Sequence, residues 1–176
     1  MKIAANLVCL CLFSAATAAT LQAQSPAASK PVVVDIKNAQ GQSVGTATLS
    51  SAPHGVKIKL DIKSLPAGEH SLHIHQVAKC EGPDFKSAGP HFSPAHTEHG
   101  EHRGALPAGD IPDFSLIVSA DGTSHVTVVA PNVTLGGDDH SVFSNGGTAI
   151  VIHAVAAEAS SSAPARIACG VISKPA

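Results

Sequence analysis

The stretch LHIHQ, residues 72–76, places His73 and His75 two positions apart. In a strand, alternate side chains share a face, so these two imidazoles lie side by side while Ile74 points the other way. Four more histidines, His91, His96, His99 and His102, crowd a stretch of loop character, and His153 ends the apolar run AIVIH. Imidazole is the commonest metal ligand near neutral pH and suits copper and zinc. Each group also has a plainer reading. The pair could be a surface accident, the loop histidines a solvated tract that binds metal weakly, and His153 a satisfied core histidine. His54, His70, His125 and His140 sit near turns or strand starts and are read as incidental. Three groups coinciding in one chain of 176 residues, eleven of them histidine, favour a metal site assembled from several elements.

Those elements read as short strands. VKIKLDIK, 56–63, alternates cleanly: Val56, Ile58, Leu60 and Ile62 face inward, and Lys57, Lys59, Asp61 and Lys63 outward. Further extended runs lie at 32–37, 43–50, 70–77, 113–120, 124–130, 148–155 and 166–172, with turns such as NAQGQ, PHG and LPAGE between them. Seven or eight short strands at this spacing predict an all-β sandwich or barrel with little helix. Residues 78–112 lack periodicity and are rich in Gly, Pro and His. A loop that long inside a compact domain usually carries function.

The length suits one domain with a real core. Residues 1–23 read as a secretory signal: Lys2, then the apolar LVCLCLF, then small residues, with the cut after Ala19 or Ala23. The apolar run is too short to span a membrane, and Cys9 and Cys11 lie inside it rather than at its end, against a lipid anchor. Residues 24–31 form a flexible lead-in and 32–176 the folded domain. Signal removal leaves Cys80 and Cys169. In an oxidising compartment they are expected to form a disulfide, closing a loop that stabilises the fold by about 4 kcal/mol; two free buried thiols are the alternative. A net charge of −2 argues against nucleic acid as a partner, and the absence of Trp and Tyr against stacking platforms.

HIH, SAGPHFSP, HG, GD, VIHA and the closing RIACGVI, in this order over residues 32–173, resemble the copper/zinc superoxide dismutase family. The resemblance implies a Greek-key β-barrel of about eight antiparallel strands carrying long metal-binding loops. It implies copper held by His73, His75, His91 and His153, with His91 bridging to zinc. It also implies a Cys80–Cys169 disulfide and Arg166 as the guide for the anionic substrate. The implied function is dismutation of superoxide to O2 and H2O2, an antioxidant activity exported to the periplasm or extracellular space. Superoxide is then the small-molecule partner, with no membrane attachment after signal removal.

The zinc half departs from the family pattern. His91, His99 and Asp110 match three zinc ligands, but the fourth, three residues before the aspartate, is Pro107, which has no donor atom. Either His102 or His96 completes a tetrahedral site, or zinc binds weakly or not at all. The aspartate that links both sites in the family is matched by Ala157, with Glu158 beside it as a substitute. The segment between His153 and Arg166, AVAAEASSSAPA, is short and has no lysine, so it offers superoxide little electrostatic steering. Without zinc, Glu158 or Asp110 would have to hold the far nitrogen of His91. A barrel that buffers copper or zinc is the competing function, and Arg166, which a buffer does not need, discriminates against it.

Overall fold

The computed structural model describes residues 30–94, 106–154 and 164–175. These residues form nine strands: β1 (Val32–Asn38), β2 (Ser43–Ala52), β3 (Gly55–Ile62), β4 (Gly68–His70), β5 (Leu72–His75), β6 (Leu116–Val118), β7 (Ser124–Ala130), β8 (Thr148–His153) and β9 (Arg166–Ile172). Two single 3-10 turns, Lys86–Ala88 and Ser144–Gly146, are the helical structure among the described residues. None of it is long and apolar enough to cross a membrane.

Period-two patterning builds the sheet. In β3, Val56, Ile58, Leu60 and Ile62 are fully buried while Lys57 and Lys59 face water. Val32, Val34 and Ile36 repeat the pattern in β1. Seven strands run antiparallel in the order β5-β8-β9-β1-β2-β3-β7, and β4 pairs separately with β6. The connection 131–147 carries the chain from β7, at one edge, back to β8 near the other, the long return of a Greek key. The barrel expected from the sequence is therefore present.

Two details differ from the strand reading. The run 70–77 is two strands, because the chain leaves the β6 ladder after His70 and joins β8 from Leu72. Ser71 lies between them, its carbonyl accepting the His153 N–H at 2.9 Å. The run 113–120 pairs only over 116–118: Asp113 sits at φ 56, a left-handed turn conformation, and Ser119 opens the turn to Thr123, accepting from Gly122 N–H at 2.9 Å.

The sheet is covered on both faces around β5 and β8, every residue of which is buried. Leu72, Ile74, Ile150 and Ile152 join the main core. Ala149 and Val151 join a smaller outer cluster with Phe85, Ala88 and Cys169, beneath the loop that follows β5. His73 pairs with Val151 and His75 with Ala149, so both histidines point to this outer side.

Candidate metal centre

Backbone register brings the distant histidines together. His153 has the same parity as Ala149 and Val151 and so shares the outer face of β8. His91 arrives through an isolated antiparallel bridge to His75. Beside that bridge, Phe92 N–H donates to the Ile74 carbonyl at 2.8 Å, Gly109 N–H to Phe92 at 2.9 Å, and Ile74 N–H to Gly109 at 2.9 Å. Only glycine fits at 109, where a Cβ would run into the Ile74 carbonyl. This stitching fixes His91 and Asp110 against β5, although both come from the aperiodic loop.

The four side chains His73, His75, His91 and His153 offer ring nitrogens that all lie within 4.8 Å of one another. Hydrogen bonds at the far nitrogens orient three of the rings. His75 Nδ1 lies 2.9 Å from the Gly89 carbonyl, His153 Nδ1 3.2 Å from the Pro164 carbonyl, and His91 Nδ1 2.5 Å from Asp110 Oδ1. With N–H at Nδ1, each presents a bare Nε2 inward. His75 Nε2 and His153 Nε2 lie 3.3 Å apart. His73 Nδ1 is buried with no hydrogen-bond partner. Rings stack or meet edge-on at centroid separations of 4.2 Å (His73 and His91) to 6.1 Å (His91 and His153).

This donor set fits a metal that prefers imidazole. An unpartnered buried ring nitrogen is costly unless something ligates it. His73, His75 and His153 are also held neutral, the state a ligand requires. Burial lowers His73 to about 3, helped by His91 and His153. Burial likewise lowers His75 to about 3, against the opposing bond to Gly89, and it lowers His153 too. A folding consequence follows for metal-free protein. The unfolded chain binds protons at these two rings near 6.5, whereas the folded chain resists until about 3. Between those values the unfolded state holds more protons, so stability rises with pH across the window and is lost as pH falls through it. Urea midpoints of metal-free protein are expected to drop from pH 6.5 downward, and to drop less in a His73→Gln/His75→Gln variant. Equal acid sensitivity in both proteins would contradict this.

Beside the rings lies Arg166, which pairs with His153 across β8 and β9. Its Nη1 donates to the Phe85 carbonyl and its Nη2 to the Gly89 carbonyl, each at 2.8 Å. Phe85 adopts the left-handed conformation at φ 51 while buried in the outer cluster. Burial lowers the Arg166 pKa from its usual value, with Asp84 acting in the opposite direction, and the group remains a cation. The guanidinium lines an open hollow of about 370 Å³ together with Pro83, Asp84, Lys86, Pro164 and Ala165. Cys80 and Cys169 are joined in a disulfide spanning 89 residues, tying the loop that supplies Phe85 and Gly89 to β9.

Of the remaining residues named from the sequence, Asp110 is in place, half-buried against His91, whereas His96, His99, His102 and Glu158 lie outside the described residues. Pro107 opens the turn that ends at Asp110, whose N–H donates to the Pro107 carbonyl at 3.1 Å. Sequence reasoning missed His70. This buried ring sits with Nδ1 2.9 Å from the His153 carbonyl and Nε2 2.8 Å from the Pro66 carbonyl, bracing the end of β8. Its adjacency to the His73/His75 pair is the one signal that could have found it.

Fold and site together define an antiparallel Greek-key barrel with a cluster of four imidazoles able to hold a metal on its outer side, beside a fixed cation. The comparisons agree. Residues 43–172 match the family model for copper/zinc superoxide dismutase, and the chain belongs to that family. It is 38% identical over 172 residues to copper–zinc superoxide dismutase 1 of Aquifex aeolicus, covering 94% of this chain and 95% of the relative. It is 37% identical over 145 residues to the copper–zinc superoxide dismutase of Caulobacter vibrioides, covering 78% and 82%. Among solved structures, a superoxide dismutase-like protein from Bacillus subtilis superposes with a TM-score of 0.67 at 32% identity, covering 79% of this chain and 96% of that one. The Brucella abortus enzyme superposes at 0.63 and 28%, covering 81% and 99%.

Proposed function

We propose that this chain is an exported copper-dependent superoxide dismutase. The observation that carries this reading is the convergence of four imidazoles next to an anchored arginine that lines an open hollow. His73 Nδ1 and the Nε2 atoms of His75, His91 and His153 would hold copper. Bound there, copper supplies the one-electron couple that oxidises one superoxide to O2 and reduces a second to H2O2. The protein supplies the rest. Arg166 attracts and orients the small anion, its guanidinium held in place by two carbonyls so that no reorganisation is needed on arrival. The hollow beside Arg166 is open to a small anion and to water. Two protons are needed for H2O2. Both are drawn from solvent water, while Asp110 keeps the His91 ring in register through His91 Nδ1.

Residues 1–23 are read as the export signal, 24–31 as the lead-in and 32–176 as the enzyme domain, with the periplasm as the destination. The Cys80–Cys169 disulfide supports an oxidising compartment.

Copper-loaded protein is expected to dismutate superoxide at a rate that depends only weakly on ionic strength. The sequence between His153 and Arg166 has no lysine, and at the hollow Lys86 Nζ pairs with Asp84 at 2.9 Å, leaving Arg166 as the net charge. Stopped-flow rates across salt concentrations check both points. Bound copper without turnover would favour metal buffering, and a steep fall with salt would show a steering field that these residues do not explain.

A further inference from the structure

Among the described residues the zinc half offers two donors, His91 and Asp110, and their spacing does not fit a shared zinc. Two ligands sharing a tetrahedral zinc, with metal–ligand bonds of 2.0–2.2 Å, hold their donor atoms about 3.3 Å apart. His91 Nδ1 and Asp110 Oδ1 are 2.5 Å apart, the separation of a direct, charge-assisted hydrogen bond. Asp110 is carried by a held backbone. Its neighbour Gly109 is bonded on both sides to Phe92 and Ile74, with no space for a side chain. The turn leading to it, Leu106-Pro107-Ala108-Gly109, offers no side-chain donor of any kind. Among the described residues, the four imidazoles are the one group of three or more ligand side chains whose donor atoms converge, and Asp110 is outside it.

We infer that Asp110 itself takes the place on His91 that zinc occupies elsewhere in the family, and that the protein works with copper alone. This rests on the reading of the four imidazoles as a copper centre. Asp110 is a positioning residue: its carboxylate accepts from His91 Nδ1–H, fixes the ring's tautomer and rotation, and leaves Nε2 facing the cluster. A carboxylate–histidine–metal relay of this kind orients a ligand without a second metal. Pro107 is consistent with such a design, since a turn that need not ligate zinc is free to carry a rigid apolar residue.

The test is metal analysis of the full chain, loaded with copper first and then offered zinc or, as a visible probe, Co(II). About one copper and no bound zinc per chain are expected, with no tetrahedral Co(II) absorption bands. Asp110→Asn is expected to keep its copper, shift the Cu(II) electron paramagnetic resonance spectrum, and lose on the order of tenfold in dismutation rate, with partial recovery in Asp110→Glu. Stoichiometric zinc in the copper-loaded wild type would overturn the inference. So would an Asp110→Asn variant whose spectrum and rate match the wild type. A chain that binds no copper overturns the copper reading itself, an outcome distinct from a chain that binds both metals.

Discussion

His153→Ala is expected to remove copper from the isolated protein and to lower dismutase activity by more than a hundredfold. Losing even an outer-shell partner of a metal costs roughly 10–100-fold in affinity or activity, and His153 is assigned to the inner set. Its Nε2 is 3.3 Å from that of His75, its own Nδ1 is held by Pro164, and among the described residues these four rings are the one converging group of ligands, with none to spare. The fold is expected to survive, because the backbone bond from residue 153 to Ser71 does not involve the side chain. Copper content by mass spectrometry, activity and a thermal scan on the same preparation separate loss of the site from loss of the fold. Full activity in His153→Ala would sink the assignment of the centre.

Cys80→Ser/Cys169→Ser is expected to give the largest loss of stability of any change at this site. Opening a closed loop of 89 residues costs about 4 kcal/mol in the chain-entropy model, or on the order of 10 °C in Tm for a domain of this size. Activity is expected to fall as well, for a geometric reason. The acceptors that hold Arg166, the Phe85 and Gly89 carbonyls, belong to the loop that Cys80 tethers to β9. Packing of Phe85 and Ala88 on Ala149 and Val151 opposes complete release of that loop. The variant is therefore expected to keep copper while losing rate, a combination that His153→Ala does not produce. A Tm within about 2 °C of the wild type, measured without reductant, would show that packing alone holds the loop.

The two expected results depend on different kinds of information. The disulfide was legible from two cysteines left after a signal-like leader, and the alternation from Val56 to Ile62 was enough to orient β3. Such patterns are local: a period of two states which face each residue takes, whatever the partner strand. The same logic put His73 and His75 on one face, and family motifs attached His91, His153 and Arg166 to them.

Local patterns do not say where the chain changes ladders. The run 70–77 looked like one strand and is divided at Ser71, because β4 and β5 answer to different partners. Nor did they distinguish His70 from the incidental histidines, since its role comes from carbonyls at Pro66 and His153, the second 83 residues away. Which faces are apolar, which residues turn the chain and which side chains can ligate are properties of residue type and spacing, and those were written in the sequence. The contact of His91 with Asp110 joins residues 19 apart. The backbone that brings the two together is held by the Ile74, Phe92 and Gly109 bonds, long-range pairings that exist only once β5 is in the sheet.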